Sequence, residues 1–264
     1  MRVLVTGAAG SLGRVVTVGL AGLGHDVVGL DLVPAPDGTA YPWHEADCAD
    51  ADAVAAVFAE ERLDAVVHLA GAPTELSLPD ELTSHVITTA ALLDAMVEHR
   101  VPRIVYASSN HAIGRTPRAD GELTEHALPR PDTYYGVAKV AAEALMRLFV
   151  DRHGIDAVAC RIGSFLEEPA SVRALSTWLS HGDGVRMVEA ALTAPAPGWA
   201  VLHGISANTR AWWDLEPGRR LGYEPQDDAE VFADRIEPRP ADEAEAAHVG
   251  GPFATDEFVR PALG

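Results

Sequence analysis

A tyrosine and a lysine stand four positions apart, at Tyr135 and Lys139, where a segment with strong helical periodicity begins. Residues i and i+4 of a helix share a face, so the phenol and the ammonium can act together. A free phenol has a pKa of about 10 and is a poor base at neutral pH, but nearby cations favour the phenolate. Lowering that pKa by about 3 units requires roughly 4 kcal/mol, which the ammonium and a positively charged cofactor ring could supply together. The pair therefore predicts a tyrosine base assisted by a lysine.

Ser109 is the third candidate catalytic residue. It follows an apolar run at residues 104–107 that we interpret as a buried strand, and open α/β sheets bind ligands at the carboxyl ends of their strands. Ser108 is the competing candidate, but neighbouring strand residues point to opposite faces, so only one of the two hydroxyls can face the cleft. We predict that Ser109 holds the reacting oxygen.

A glycine-rich loop lies between the first predicted strand and a predicted helix. Its glycines, Gly7, Gly10 and Gly13, have the spacing G-x-x-G-x-x-G, with Ser11 and Leu12 between the last two. Glycine permits a tight turn and close backbone approach, and a helix N-terminus offers free N–H groups to a phosphate. Three glycines alone are a weak motif, but this position predicts a dinucleotide pyrophosphate site.

Acidic residues near the ends of the next two strands predict further cofactor contacts. Asp31 lies 18 residues beyond Gly13, where a carboxylate can bind both ribose hydroxyls and would repel a 2′-phosphate. We therefore predict NAD rather than NADP as the cofactor. Asp47 and Cys48 end a further predicted strand, the third in chain order, just before the helix predicted at 51–61, and an adenine contact and a helix-capping role are equally open there.

Short apolar runs alternate with longer amphipathic segments along the chain. This alternation predicts an α/β protein whose doubly wound parallel sheet is covered on both faces. The final segment, 238–264, is rich in proline and acidic residues and is expected to wrap the surface or fray. Strands are predicted at residues 3–6, 26–30, 65–69, 104–107, 157–161 and 199–204, and helices at 12–23, 51–61, 84–99, 135–152 and 177–193.

The bulk composition narrows the class of protein. The 264 residues are 48% hydrophobic and 22% charged, with a formal net charge of −19. Such acidity repels nucleic acids and anionic membranes, so we expect neither as a partner. The two cysteines form no C-x-x-C pair and the histidines are scattered without metal-ligand spacing, so we expect reduced thiols and no metal. No signal peptide or membrane-spanning run is recognisable, which predicts a cytoplasmic protein.

Several of these motifs together resemble the extended short-chain dehydrogenase/reductase superfamily, in its NAD-dependent epimerase/dehydratase branch. They are the TGAAGSLG loop, HLAG at residues 68–71, ASS at 107–109 and the Y-x-x-x-K pair. The resemblance implies a Rossmann fold over residues 1–163, with Leu69, Ala70 and Gly71 beside the cofactor. It also implies that residues 164–264 form a small substrate-binding region integrated with that core.

More specific runs are similar to bacterial uronate dehydrogenases, which oxidise C1 of glucuronate or galacturonate with NAD⁺ to an aldarolactone. These are SSNH at 108–111, RIGS at 161–164, LSTW at 175–178 and SAN at 206–208. The resemblance implies that a sugar acid is the substrate, and that Tyr135, Lys139 and Ser109 are catalytic. It further implies that sugar hydroxyls contact Asn110, His111 and Ser164 and that the carboxylate binds Arg173, whose planar fork suits a carboxylate.

Two departures from the pattern leave other readings open. His85 stands where nucleotide-sugar enzymes of this superfamily usually carry asparagine, and residues 72–74 differ from those expected beside a uronate. A nucleotide-sugar epimerase or dehydratase would use the same tyrosine and lysine, but no cluster of basic residues for a diphosphate follows Gly163. A non-catalytic cofactor sensor usually loses that pair, which this chain keeps. Apolar helices at 84–99 and 135–152 predict a homo-oligomer.

Overall fold

The computed structural model describes residues 1–263. Its centre is a seven-stranded sheet in which all neighbouring strands run parallel, and a separate two-stranded sheet pairs β7 with β8. The strands are β1 (Arg2–Thr6), β2 (Asp26–Asp31), β3 (Trp43–Glu45), β4 (Ala65–His68), β5 (Arg103–Ser109), β6 (Asp156–Ile162), β7 (Ser164–Phe165), β8 (Trp178–Leu179) and β9 (Trp199–Gly204).

Helices connect these strands and continue beyond them. The α-helices are α1 (Ser11–Gly22), α2 (Ala51–Glu60), α3 (Leu78–Glu81), α4 (Thr88–His99), α5 (Tyr134–His153), α6 (Ala174–Thr177), α7 (His181–Thr193), α8 (Glu216–Arg220) and α9 (Asp242–Ala246). Shorter turns of 3₁₀-helix cover Asn110–Ile113, Arg118–Asp120, Ala229–Arg235 and Gly251–Ala254, and a π-helical turn covers Leu82–Ile87.

The strand order β3-β2-β1-β4-β5-β6-β9 confirms the predicted doubly wound sheet. Strand β1 lies inside the sheet, with β2 on one side and β4 on the other. Successive strands are added first on one side of β1 and then on the other, so the strand order reverses at β1. This reversal opens a crevice beyond the carboxyl ends of β1 and β4. The glycine-rich loop follows β1 and therefore lies at that crevice.

Alternating strand residues feed two separate hydrophobic layers. Side chains such as Leu4 and Ile104 pack beneath α2, α4 and α5, whereas neighbours such as Val5 and Val105 pack beneath α1 and α7. Both faces of the sheet are therefore covered, which explains why the strand sequences are almost continuously apolar.

The strongest predicted helix, α5, has clear end signals. Thr133 caps its N-terminus by accepting a hydrogen bond from Gly136 N–H at 2.9 Å. Gly154 ends it with a φ of 68°, a left-handed conformation that glycine adopts at little cost. The segment predicted as a helix at 84–99 begins earlier, because Ser77 caps α3 and the π-helical turn joins α3 to α4.

The predicted helix at 177–193 is wrong at its start. Residues of β8 are extended and pair with β7, and the Trp178 carbonyl accepts hydrogen bonds from Ser206 N–H and the Asn208 amide, each at 2.8 Å. Helix α7 begins only at His181, where the Ser180 hydroxyl accepts from Asp183 N–H. Tertiary hydrogen bonds from residues 206–208 thus override the local helical pattern.

Two other boundaries also differ from expectation. Strand β3 ends at Glu45, so Asp47 and Cys48 lie in the turn beyond it rather than at its end. The C-terminal segment packs against the body of the protein: Val249 is fully buried, and Leu78 N–H donates to the Ala262 carbonyl at 2.9 Å. Within residues 1–263, no helix is both long and apolar enough to cross a bilayer.

Candidate active site

The glycine-rich loop forms a tight cradle at the mouth of the sheet. Gly7 has a φ of 66°, and a Cβ added there would lie 2.7 Å from Ala70 N; at Gly13 an added Cβ would lie 2.1 Å from the Gly7 carbonyl oxygen. Only glycine fits these positions. Helix α1 then begins at Ser11 after Gly10. Within residues 1–263, no side chain caps its N-terminus, and its first turn contains no acidic residue. Its first N–H groups are therefore free to bind a phosphate.

This loop borders a cleft of about 720 Å³, which we call the glycine-loop cleft. Its size and its run along the crevice fit a dinucleotide. The sequence-predicted residues that line it are Gly7, Gly10, Ser11, Leu12, Gly13, Asp31, Asp47, Cys48, Leu69, Ala70 and Gly71.

Asp31 contacts the glycine-rich loop and also lines the cleft. Its Oδ2 accepts a hydrogen bond from Ala9 N–H at 2.8 Å, so it braces the glycine-rich loop while facing the cleft. The helix-capping role that was open for Asp47 belongs to Asp50, which caps α2 by accepting hydrogen bonds from Asp52 and Ala53 N–H. The Asp47 carboxylate accepts a hydrogen bond from Ala49 N–H at 2.8 Å in its own turn, and Asp47 lines the cleft.

Arg14 is a cleft residue that sequence reasoning missed. Its Nε donates to the Ala9 carbonyl at 2.7 Å, and it lines the same cleft as Asp31. An arginine in the first helical turn has no motif value by itself, since most such residues are solvated. Arg14 therefore puts a positive charge in the same cleft as Asp31, where it would attract a 2′-phosphate that Asp31 repels.

Tyr135 and Lys139 lie together at the start of α5, as their spacing predicts. The Lys139 ammonium is 5.1 Å from the centre of the Tyr135 ring, and it donates to the Ala107 carbonyl of β5 at 2.7 Å. Two further hydrogen bonds fix the helix start, because the Glu75 carboxylate accepts from Tyr134 and Tyr135 N–H at 2.7 and 3.0 Å. The pair is thus anchored from both the sheet and a preceding loop.

Burial dominates the titration of this pair in the protein alone. It raises the pKa of Tyr135 to about 12, against the lowering effect of a hydrogen bond with Ser109. It also lowers the pKa of Lys139 to about 7, although the Glu81 and Glu143 carboxylates oppose that change. A tyrosine base at neutral pH therefore requires additional positive charge, such as the cationic ring of an oxidised nicotinamide.

The two serines of β5 point in different directions. Ser109 lines the space next to Tyr135, and its Oγ accepts from His111 N–H at 3.1 Å. Ser108 is turned away and donates to the Glu143 carboxylate at 2.5 Å, which also receives Arg161 at 2.8 Å in a buried ion pair. Only Ser109 is placed to contact a ligand beside Tyr135.

A second space of about 440 Å³ opens at Tyr135, and we call it the tyrosine pocket. It meets the glycine-loop cleft at Pro73, which lines both. A molecule held here would touch the end of a dinucleotide held in the cleft. The residues lining it are Pro73, Thr74, Glu75, Ser109, Asn110, His111, Thr133, Tyr135, Gly163, Phe253 and Arg260.

His111 is held in one orientation within this pocket. Its Nδ1 lies 2.9 Å from the buried Asp132 carboxylate. A carboxylate accepts at that position, so Nδ1 carries the proton and Nε2 is left as the ring nitrogen for a ligand. The ring packs edge-on against Tyr135 at 5.8 Å and Phe253 at 5.1 Å.

Ser164 and Arg173 lie behind the pocket rather than in its wall. Ser164 Oγ is 3.2 Å from Thr177 Oγ1. The Arg173 guanidinium donates to the Val249 carbonyl, which also accepts from the Asn110 amide at 3.1 Å. Arg173 is therefore one carbonyl group away from a residue that lines the pocket. Its Nε is buried without a hydrogen-bond partner in the part of the chain described, and burial lowers its pKa.

Phe253 and Arg260 reach the pocket from the C-terminal segment, and sequence reasoning missed both. Arg260 is exposed, and it donates to the Glu75 carbonyl at 3.2 Å. Its own carbonyl accepts from the Tyr134 hydroxyl at 2.7 Å. The proline and acidic residues of segment 238–264 predicted a chain that wraps the surface or frays, and they gave no sign that this segment contacts the tyrosine pocket.

Comparison with known proteins agrees with this geometry. Residues 3–166 match the NAD dependent epimerase/dehydratase family. The chain is 38% identical to a uronate dehydrogenase from Pseudomonas putida over 96% of this chain and 95% of that one. It is 40% identical to a uronate dehydrogenase from Agrobacterium fabrum over 89% and 88%.

A solved structure has the same fold as this chain. The fold matches that of a tyrosine-to-alanine mutant of uronate dehydrogenase from Agrobacterium tumefaciens in complex with NAD. The TM-score is 0.89 at 39% identity, covering 98% of this chain and 99% of the other. The glycine-loop cleft, with its uncapped helix start, fits a dinucleotide such as the NAD bound in that structure. The chain therefore belongs to the NAD dependent epimerase/dehydratase family and is an NAD-dependent oxidoreductase of the uronate dehydrogenase type.

Proposed function

We propose that this enzyme oxidises C1 of a hexuronate, glucuronate or galacturonate, to the corresponding aldarolactone. One observation carries the proposal: Tyr135 and Ser109 line the tyrosine pocket, which meets the glycine-loop cleft at Pro73. This pocket is large enough for a monosaccharide, and its lining includes several hydrogen-bonding side chains besides the catalytic pair. The sequence similarity to uronate dehydrogenases over nearly the whole chain supports a sugar acid as the substrate.

The catalytic roles follow from the positions of three side chains. Ser109 donates a hydrogen bond to the C1 hydroxyl oxygen, and Tyr135, as phenolate, accepts the hydroxyl proton. Lys139, held against β5 by the Ala107 carbonyl, supplies the positive charge that favours the phenolate. Bound NAD⁺ supplies the acceptor for the hydride that leaves C1. A cyclic sugar gives the lactone directly, since the ring oxygen is already attached to C1.

The substrate contacts are a proposal supported by the surroundings of the pocket. Asn110 and His111 line it and offer an amide and a ring nitrogen to sugar hydroxyls, with Ser164 behind them. We assign the carboxylate to Arg173, whose buried Nε has no hydrogen-bond partner among residues 1–263 and whose guanidinium shares the Val249 carbonyl with the Asn110 amide. Burial lowers the pKa of Arg173 against the opposing effect of the Asp132 and Glu245 carboxylates, and a bound carboxylate would add to that opposing effect.

The test is NADH formation at 340 nm with glucuronate, galacturonate, glucose and a UDP-sugar as parallel substrates. We expect NADH with the two uronates and a much lower rate with glucose. Isomerisation or dehydration of the UDP-sugar without net NADH would instead identify a nucleotide-sugar epimerase or dehydratase. Activity with glucose equal to that with both uronates would overturn the carboxylate assignment while leaving C1 oxidation intact.

We further infer a cytoplasmic homo-oligomer. Ile87, Val137 and Leu148 are exposed apolar side chains on the layer that contains α4 and α5. An exposed apolar surface of this kind is typical of a subunit interface. Light scattering on the purified enzyme tests the inference, and Leu148→Glu should lower the oligomeric mass if this layer forms the contact.

A further inference from the structure

Glu81 is a buried carboxylate next to the catalytic pair that the reaction described above does not use. Its side chain is 0% exposed. Oε1 accepts a hydrogen bond from Leu76 N–H at 2.8 Å, but Oε2 has no hydrogen-bond partner among residues 1–263. Leaving a buried charged oxygen unsatisfied costs free energy, so a compensating charge or a function is required.

His85 separates this carboxylate from the catalytic tyrosine. Its Nε2 lies 3.3 Å from Glu81 Oε2, one helical turn earlier, and its ring packs edge-on against Tyr135 with centroids 5.0 Å apart. Both ring nitrogens are buried and lack hydrogen-bond partners within the described chain. Gly71 leaves room for the ring, because a Cβ there would lie 2.2 Å from His85 Cε1. Glu81, His85 and Tyr135 therefore lie side by side in space, with the histidine in the middle, and we call this row the stack.

Among residues 1–263, the charges around this stack leave one cation to balance Glu81. Glu143, which also raises the pKa of Lys139, is already paired with Arg161 at 2.8 Å. Burial lowers the pKa of His85 to about 2, so this histidine is neutral at physiological pH. The remaining cation is Lys139, and Glu81 raises its pKa.

Other titratable groups facing the stack carry no permanent charge or are bound elsewhere. Burial lowers the pKa of His68 on β4 to about 3, and burial raises that of the Tyr106 phenol on β5 far above its usual value. The Glu75 carboxylate is bound to the N–H groups at the start of α5, and Asp80 is exposed. Burial also raises the pKa of Glu81 itself, with Glu75 adding to that effect.

We propose that Glu81 is a positioning residue: it is the buried counter-charge of Lys139, and His85 lies between it and Tyr135. The proposal rests on the proposed roles of Tyr135 and Lys139. Its consequence is that Glu81 sets the pH range of catalysis. Its negative charge disfavours loss of a proton from both members of the pair, so it keeps both apparent pKa values higher than they would otherwise be.

The experiment compares Glu81→Gln with a matched control, Glu98→Gln, which removes the same charge from an exposed site on α4. We measure kcat/KM against pH for the wild type and both variants with the sugar that the wild type oxidises best. Both limbs of the Glu81→Gln profile should move to lower pH by about one unit, and the Glu98→Gln profile should stay in place. Superimposable Glu81→Gln and wild-type profiles would overturn the proposal.

His85→Leu provides a second variant if Glu81→Gln folds poorly. Without the histidine, the Oε2 atom faces an apolar side chain, and the carboxylate should take up a proton. The profile should then move in the same direction as that of Glu81→Gln, and the double variant should move no further. Additive shifts in the double variant would show that the two residues act separately.

A second readout does not depend on turnover. Burial lowers the pKa of Lys139 to about 7 in the folded protein, below the 10.5 of a solvated lysine. The unfolded chain therefore holds this proton more tightly, and stability rises with pH above about 7. In cofactor-free Glu81→Gln the rise in Tm should begin at lower pH than in the wild type. If no sugar is oxidised, the proposed function fails, while an unchanged Tm profile would be the result that counts against Glu81.

Discussion

The glycine-loop cleft and the tyrosine pocket adjoin at Pro73, yet they are constructed in different ways. The cleft is lined mainly by the segments that follow β1, β2, β3 and β4, with a few residues of α3, the π-helical turn and α4, so most of its shape comes from backbone at the carboxyl ends of the strands of one sheet. The tyrosine pocket takes residues from β5, α5 and the C-terminal segment, which are far apart in sequence. Its character comes from side chains brought together by tertiary packing.

This difference separates binding of the cofactor from recognition of the substrate. A dinucleotide is bound largely by backbone N–H groups and a helix N-terminus, which many sequences can supply. A sugar acid is distinguished by individual side chains and one positive charge. Changes in the cleft should therefore alter cofactor use without altering sugar preference, and changes in the pocket should do the opposite. Tyr135 lines the tyrosine pocket, but its proposed role is proton transfer, so its loss should affect neither affinity strongly.

The largest effect is expected from Tyr135→Phe. This change removes the proposed proton acceptor but keeps the ring that packs against His85 and His111. We expect turnover to fall by a factor of at least ~10², the low end for a positioned proton-transfer group. NAD affinity by calorimetry should be unchanged. Retained turnover would remove the phenol from the mechanism, and lost NAD binding would show that the two regions are not separable.

Lys139→Met should also lose rate, and its pH dependence should change in a defined direction. Removing the ammonium takes away a cation that favours the phenolate, so the pKa of Tyr135 in the enzyme–cofactor complex should rise. The acid limb of kcat/KM should then move to higher pH, opposite to the shift expected for Glu81→Gln. A profile that keeps its midpoint would mean that Lys139 acts only through its hydrogen bond to Ala107.

Arg173→Ala tests the carboxylate assignment and should affect only acid sugars. Losing a charge-assisted pair in a buried site costs about 2–5 kcal/mol, which is roughly 30- to several-thousand-fold in kcat/KM. Arg173→Lys should recover part of this, because an ammonium lacks the planar fork. Glucose is the control: an equal loss with glucose would show that Arg173 acts by holding the Val249 carbonyl and hence the C-terminal segment.

How far the sequence could predict these regions follows from the same difference. The glycine-rich loop, Asp31 and the Tyr135–Lys139 spacing are local patterns. The structure places these residues beside the carboxyl ends of the strands, as predicted. The helix start at 177 was wrong because the hydrogen bonds that hold β8 extended come from residues 206–208. Phe253 reaches the pocket through long-range packing that local periodicity does not encode.

The cleft offers a smaller test through Asp31. Asp31→Asn keeps an acceptor for Ala9 N–H but removes the charge that would repel a 2′-phosphate, and Arg14 lies nearby. We expect the preference for NAD⁺ over NADP⁺ to fall by about tenfold, equivalent to ~1.4 kcal/mol. The double variant with Arg14→Ala should regain part of the preference. Relative rates on glucuronate and galacturonate should stay constant, and a change in them would contradict the separation of the two regions.

The smallest effect is expected from Arg260→Ala, and it completes the comparison within the pocket itself. Arg260 is the cation in the pocket wall, whereas Arg173 lies behind it, so the two make opposite predictions about where a carboxylate binds. Arg260 is exposed, and one of its donors is already used by the Glu75 carbonyl. Exposed ion pairs contribute about 0–1 kcal/mol, so we expect less than about a fivefold rise in KM for uronates.

Raising the ionic strength separates the two arginines further. An exposed pair is screened by salt and a buried pair much less so. Any contribution of Arg260 to KM should therefore disappear at high salt, while the Arg173→Ala defect should persist. If Arg260→Ala proves the more damaging of the two, and only with acid sugars, the carboxylate binds at the mouth of the pocket under the C-terminal segment. The sugar would then be reversed in the pocket relative to our assignment, and Asn110 and His111 would contact different hydroxyls.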